Sequence, residues 1–309
     1  MALIAGPTAS GKSALAVRLT LALRERGQDA VVINADASQV YTDIPILSAQ
    51  PTVQERAGVA HRLFGHIDGA VAHNAAAWAQ EARAEIAAAH AAGAIPILVG
   101  GTGLYLTTLL DGIAPVPPID EAIRTEIRAL PVTEAWHRLQ SADLHAAARL
   151  KPQDKTRIAR ALEVITATGT QLHLWQQRRE GGIADKIALT PTILLPPRDA
   201  LRERCDARLT AMFGAGAADE VQALLERRLD PTLPVMRAIG VPQVAAWLGG
   251  DLSRDEALLL AQAATRQYVK RQTTWLRHQL PADWLRHESL NHDFIDDLVI
   301  KLRHELLTA

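Results

Sequence analysis

The chain has 309 residues, 48 % of them hydrophobic and 22 % charged, with a formal net charge of −1. These proportions exclude a disordered or fibrous chain and a globally basic nucleic-acid binder, while leaving open a local basic patch. The single cysteine, Cys205, excludes an intrachain disulfide framework, no apolar run approaches the ~18 residues of a membrane span, and there is no signal-peptide layout, so a cytoplasmic protein is expected.

In chain order, "ALIAG" (2–6) is a short, fully apolar run ending in glycine, as a buried parallel strand requires. Helical spacing follows over 12–27, with Gly27 as the stop, and "AVVINAD" (30–36) is a second buried strand ending on an acid. An Ala-rich helix is predicted over 74–93, with Asn74 as its N-cap and Gly93 as its C-terminal stop. "AIPILVGGTGLYL" (94–106) is a third strand running through a Gly-rich turn into a helix. This alternation predicts a parallel sheet flanked by helices. The proline-rich "DGIAPVPPID" (111–120) marks a crossover into a helical stretch, which contains an amphipathic helix over 153–169 and closes on the flexible "RREGGIADK". "LTPTILLPP" (189–197) returns to the sheet, and helices are predicted over about 198–212, 216–228, 241–249 and 254–278. The expected layout is an α/β P-loop core over 1–114, a small all-helical insert over 115–186, and core completion with C-terminal helices over 187–309.

Gly6, Pro7, Thr8, Ala9, Ser10, Gly11, Lys12 and Ser13 spell G-x-x-x-x-G-K-S between a strand and a helix. Glycines let backbone N–H groups point at phosphate oxygens, and the helix N-terminus adds partial positive charge. Lys12 would supply a charge to the terminal phosphates, and Ser13 is placed to ligate Mg²⁺. No apolar run ends in the paired acids of a Walker B strand, so the cradle need not hold ATP. In open α/β sheets ligands bind beyond the carboxyl ends of the strands, where Asp36 and Thr102 also fall. Asp36 is placed to approach Mg²⁺ through water, to act as a base, or simply to cap a turn; Thr102 is placed to touch substrate or to cap the helix that follows.

These stretches occur together with "NADASQVY" (34–41), "HRLFGHID" (61–68), "PILVGGTGLYL" (96–106), "RIARALEV" (157–164), "MRAIGV" (236–241) and "ATRQYVKRQTTWLR" (264–277). In this order and spacing, over roughly residues 2–287, the sequence resembles the bacterial tRNA dimethylallyltransferases. The resemblance implies transfer of a dimethylallyl group from dimethylallyl diphosphate to N6 of the adenosine just 3′ of the anticodon, in tRNAs reading codons that start with U. It implies a Mg²⁺-dependent monomer with tRNA as partner and no membrane association. The catalytic residues would be Asp36, Thr102 and Lys12. The loop 6–13 and Arg237 would hold the diphosphate, with Ser13 on the metal. The tRNA would be met by Asp36, Ala37, Ser38, Gln39 and Thr102 at the strand ends. It would also be met by Arg124, Thr156, Arg157, Ile158, Ala159 and Arg160 in the insert, and by Arg266 and Lys270, which with Arg277 share one face of the last long helix.

The sequence departs from the family at three places. Asp36-Ala37 stands where Asp-Ser is usual, with Ser38 one place on; Gln50 replaces a common basic residue, and Val241 a common aromatic one. The same cradle would serve a transferase acting on free adenine nucleotides, a small-molecule kinase, or a non-catalytic tRNA or nucleotide binder; the helical insert and the basic helix favour tRNA. His61 and His66 lie five apart with no third ligand at metal spacing, and with Cys205 they read as structural or RNA-facing groups. Trp175, Trp247, Trp275 and Trp284 read as packing residues.

Overall fold

Ala2–Ala5 forms β1, with every residue buried. The computed structural model describes residues 1–289 and 294–308, the last four of these by their backbone only. The neighbours of β1 are Ile95–Gly100 (β4), a fully buried apolar run, and Thr190–Leu194 (β5), mostly buried but carrying two threonines; Ala30–Ala35 (β2) lies beyond β4. Continuous apolar runs form parallel strands only where both faces are covered, and that holds here. Leu15, Ala16, Leu19 and Leu23 of the helix Lys12–Glu25 (α1) pack with Ile4, Val32 and Ile97; the alternate residues Leu3, Ile33 and Leu98 point to the other face and are also fully buried.

With His61–Arg62 (β3) and Arg286–His287 (β6), the sheet among the described residues is six-stranded and parallel, in the order β3-β2-β4-β1-β5-β6. Its edges, β3 and β6, are two residues each and carry no alternation for a sequence to display. The helices after α1 are Val53–Arg56 (α2), Ala75–Ala91 (α3) and Gly103–Leu110 (α4). Asn74 caps α3, its Oδ1 accepting from the N–H groups of Ala76 and Ala77 at 3.0 and 3.1 Å. Inside α3, the Trp78 indole donates to the Asn34 carbonyl at 2.8 Å and ties the helix to the end of β2.

The chain divides into two units, Met1–Leu106 with Lys186–Ala309, and Thr107–Asp185. The second unit holds Glu121–Ala129 (α5), Val132–Ala142 (α6), Leu144–Arg149 (α7), Lys155–Thr168 (α8) and Leu172–Gln176 (α9). It has its own core, which includes Ile127, Leu139, Ile158 and Leu162. Its first border lies before the expected residue 115. An antiparallel bridge between Ile113 and Glu180 ties the proline-rich stretch to the end of the insert, with Gly112 (φ +89°) close enough that a Cβ would meet the Glu180 carbonyl at 2.4 Å.

The first unit continues with Arg198–Gly214 (α10), Ala217–Glu226 (α11), Val241–Leu248 (α12) and Arg254–His278 (α13). A last helix, Phe294–Thr308 (α14), is additional to the predicted elements; its Ile295, Leu298, Val299 and Leu302 complete the core over α1.

Candidate active site

The loop from β1 to α1 turns through two left-handed residues, Ala9 (φ 63°) and Gly11 (φ 90°). Glycine adopts this freely, whereas a non-glycine residue there stores strain that its surroundings must sustain. Ala9 is braced against Leu201, Cys205 and Val269 from α10 and α13. Helix α1 begins at Gly11 with no side-chain cap, so its first N–H groups face the loop as an anion site. The Ser10 hydroxyl is buried with no hydrogen-bond partner, an orphan in the same turn. Lys12 folds back across the loop, its Nζ donating to the Pro7 carbonyl at 3.3 Å. Burial pushes its ammonium down to about 8; the Asp36 carboxylate opposes that shift and the Arg208 guanidinium adds to it. A cation so desolvated is matched to an anionic ligand.

Asp36 ends β2 with 8 % of its surface exposed. Asn34 fixes its backbone from both sides: Asn34 Oδ1 accepts from the Asp36 N–H at 2.9 Å, and Asn34 Nδ2 donates to its carbonyl at 3.0 Å. Asp36 Oδ1 accepts from the Ser38 N–H at 3.0 Å. Thr102, at the end of β4, accepts from the Ala37 N–H at 3.0 Å, so the two strand ends are locked together. Ala37 contributes to this bond through its backbone, while Ser38 lines the cleft. Gln39 is turned elsewhere, its amide donating to the carbonyls of Ser48 and Ala49 at 3.0 and 2.9 Å. Gln50 donates to the Tyr41 carbonyl at 2.7 Å, and Val241 is buried at the start of α12.

Helix α13 supplies Gln272 and Tyr268, which lie in the stretch 264–277 but carry no role that the sequence alone assigns. Gln272 accepts from the Thr8 N–H at 2.9 Å and donates to the Gly101 carbonyl at 3.0 Å, joining the phosphate loop to the β4 turn. Tyr268 hydrogen-bonds to the side chains of Thr102 and Gln272, and burial together with the Asp36 charge holds its hydroxyl protonated well above the usual range. Gly103 admits Trp275: a Cβ there would stand 2.4 Å from the indole ring. The glycines of "GGTG" are therefore needed for close approach.

Thr8, Asp36, Ser38, Tyr41, Thr265 and Tyr268 line a cleft of about 370 Å³, with Arg208, Arg237 and Arg271 on its walls. Of these three arginines, Arg237, on the turn Val235–Arg237, and Arg271, on α13, fall in the quoted stretches, and only Arg237 was given a role there; Arg208 comes from α10. Three guanidiniums beside one carboxylate make the cleft a site for a polyanion with one basic acceptor.

The remaining candidates divide. In the insert, burial pushes the Arg160 guanidinium down, with Arg124 and Arg128 adding to the shift and the buried Glu163 opposing it; Arg128 Nε and Arg160 Nη1 lie 2.7 and 3.7 Å from the Glu163 oxygens. Thr156 and Arg157 are exposed, the latter paired with Asp154 at 2.7 Å. Ile158 and Ala159, expected at the RNA surface, are buried in the insert's own core and present no side chain outward. On α13, Arg266 is held by both oxygens of Asp206 at 2.9 Å, so its charge is matched, while Lys270 and Arg277 line a groove of about 850 Å³ with Arg198 and Arg202. Cys205 is buried, its thiol pushed up by burial and pointing at the Thr8 carbonyl. Trp275 packs on Gly103 and Trp247 stacks on Phe213.

The profile of the IPP transferase family matches residues 39–279. A tRNA dimethylallyltransferase of Sphingopyxis alaskensis is 68 % identical over the full length of both chains. One from Zymomonas mobilis is 50 % identical, covering 97 % of this chain and 95 % of its own. Among solved structures, a tRNA isopentenylpyrophosphate transferase of Bacillus halodurans superposes with TM-score 0.68 at 29 % identity, covering 99 % of this chain and 96 % of its own. A eukaryotic dimethylallyltransferase acting on tRNA superposes with TM-score 0.75 at 27 % identity, covering 89 % of this chain and 69 % of its own. By the cradle and acid at its strand ends, and by likeness along its whole length, the chain belongs to the IPP transferase family, the tRNA dimethylallyltransferases.

Proposed function

We infer that this chain transfers the dimethylallyl group of dimethylallyl diphosphate to N6 of the adenosine 3′-adjacent to the anticodon, in tRNAs reading codons that begin with U. The observation that carries this reading is the placing of one buried carboxylate, Asp36, beside a desolvated lysine and an uncapped helix N-terminus. An exocyclic adenine amine is a weak nucleophile, so the reaction needs a good leaving group and a base for the amine proton. The bond from N6 to the allylic carbon forms as the carbon–oxygen bond to the diphosphate breaks, and the electron pair leaves with the diphosphate. Loop N–H groups and Lys12 stabilise the charge that builds there, and Arg237, Arg208 and Arg271 hold the anion in the cleft. Asp36 accepts the proton from N6, and Thr102 keeps the β2 and β4 ends in register around the amine.

The donor set of the cradle is hydroxyl oxygen, which suits Mg²⁺, and the orphaned Ser10 hydroxyl supports a ligand-filled loop. Ser13 would hold the ion at the mouth of the cradle. When bound, Mg²⁺ neutralises charge on the leaving diphosphate.

A base in an anticodon loop must be splayed out before it can enter such a cleft. We assign the grip on the stem-loop to the insert, through Arg124, Thr156, Arg157 and Arg160, and further phosphate contacts to Lys270. A free-nucleotide transferase would have no use for the insert's basic cluster. The test is a transfer assay with radiolabelled dimethylallyl diphosphate and Mg²⁺, offering undermodified tRNA, an anticodon stem-loop and AMP. Label in tRNA and not in AMP supports the reading; label in AMP alone moves the protein to the free-nucleotide class.

A further inference from the structure

His66 and His61 share a short motif but part company in the fold. The His61 ring packs edge-on against Phe64, with Nδ1 on the Val59 carbonyl at 2.9 Å. His66 instead meets two residues from further along the chain. Its Nε2 lies 3.0 Å from Glu81 Oε2, and the His73 Nε2 lies 3.2 Å from the same oxygen. The ligand atoms of all three lie within 4.8 Å of one another. The two rings stand nearly perpendicular, at 82°, with centroids 6.1 Å apart, so both nitrogens converge on one point beside the carboxylate. Ligand atoms around a tetrahedral Zn²⁺ at about 2.0 Å stand roughly 3.3 Å apart, which these nitrogen–oxygen distances already approach.

We propose that His66, His73 and Glu81 form a binding site for a borderline divalent metal of the Zn²⁺ type, with solvent at its fourth position. Two imidazoles and one carboxylate suit Zn²⁺, whereas Mg²⁺ demands an all-oxygen shell. His73 has the outer partner that ligating histidines use: its other nitrogen, Nδ1, lies 3.3 Å from the Tyr105 hydroxyl, and Tyr105 is itself stacked on Trp78 at 4.4 Å. The His73 side chain is 3 % exposed, while those of His66 and Glu81 are 28 % and 33 % exposed, so the site is anchored inside and open outside. The other imidazole–carboxylate group, Asp143 with His145 and His173, lacks this geometry: its rings are stacked 3.8 Å apart at 28°, and their in-plane lone pairs cannot meet on one ion.

The metal would act on the cleft wall and leave the chemistry to Asp36. The turn that carries His66 is hydrogen-bonded to the segment after β2, with Gly65 N–H on the Gln39 carbonyl, His66 N–H on Val40 and Thr42 N–H on Ile67. Tyr41 in that segment lines the cleft. Joining this turn to α3 through an ion therefore stiffens one wall of the site.

The test uses the full chain without a histidine tag, stripped with chelator, titrated calorimetrically with Zn²⁺ and spectroscopically with Co²⁺. Expected are one Zn²⁺ per chain, a visible Co²⁺ band of tetrahedral character, and a rise in Tm with saturating Zn²⁺, all unaffected by excess Mg²⁺. The variants H66A and E81Q should lose affinity on the order of 100-fold and lose the Tm response. H66A changes a surface-reaching side chain and keeps the test valid should H73A fail to fold. No saturable Zn²⁺ binding by the wild type, or binding that persists unchanged in H66A and E81Q, would overturn the proposal, leaving a hydrogen-bonded cluster only.

Discussion

Lys12 is a partly buried cation whose desolvation lowers its pKa, and its behaviour with pH follows from that. Its folded pKa of about 8 lies below the ordinary 10.5, so between those values the unfolded chain holds a proton that the folded chain has released. Stability of the ligand-free protein therefore rises across that window, and the cost of burying the charge is complete below pH 8. K12M should be more stable than wild type at neutral pH, with the gap closing toward pH 10.5 in denaturant titrations. Affinity for inorganic diphosphate should run the opposite way. It should fall as pH rises through about 8 in wild type, and it should be weaker without that step in K12M; a pH-independent affinity in wild type would count against Lys12 as a diphosphate ligand. Gln272 makes a second case. Q272L leaves the Thr8 N–H and Gly101 carbonyl unpaired, at a cost of about 2 kcal/mol or more in unfolding free energy, and should raise KM for dimethylallyl diphosphate more than it lowers kcat. The cradle and Asp36 were legible because each is a local pattern at a strand end. Gln272 was not, because 264 residues separate it from its partner Thr8 and a glutamine on a helix carries no signal of the turn it will meet. The places of Arg208 and Arg271 on the cleft were hidden for the same reason: helical spacing says which face a residue shares and not what that face covers.

At the scale of elements, caps and apolar runs set what could be read. Asn74 was legible as the α3 cap, and N74A should cost about 1 kcal/mol in thermal or denaturant unfolding, as other cap removals do. The long helices and the four interior strands of the core carry enough residues for their patterns to stand out. The two-residue strands β3 and β6 do not, since pairing and not pattern makes them strands. Helix α14 was legible in principle: Ile295, Leu298, Val299 and Leu302 have the i, i+3, i+4, i+7 spacing of a buried stripe. On α8 the expectation that five consecutive residues meet RNA fails on helical geometry, because a run of five circles the axis and Ile158 and Ala159 must turn inward. The charged pair that remains gives a measurable quantity. Replacing Arg157 and Arg160 by alanine together should weaken binding of an anticodon stem-loop and flatten its dependence on log salt by about 1 to 2 units, while an unchanged slope would remove these residues from the phosphate contacts.

For the whole molecule, a neutral total charge conceals basic groups gathered at the cleft, along α13 and in the insert, so global charge was silent about the partner while the motif order was not. The insert has its own core and proline- and glycine-rich borders, and hydrogen exchange should show added protection in α5 and α8 when tRNA binds. Unchanged exchange there would take the insert out of RNA recognition. In this mechanism the carboxylate beside the cradle takes the proton from the tRNA base as the prenyl group arrives. Single-turnover transfer from dimethylallyl diphosphate to tRNA, measured for wild type and D36A with tRNA affinity determined in parallel, tests it most directly. D36A should lower the rate by a factor on the order of 10² to 10⁴ with tRNA affinity kept within several-fold. A D36A rate equal to wild type would contradict it.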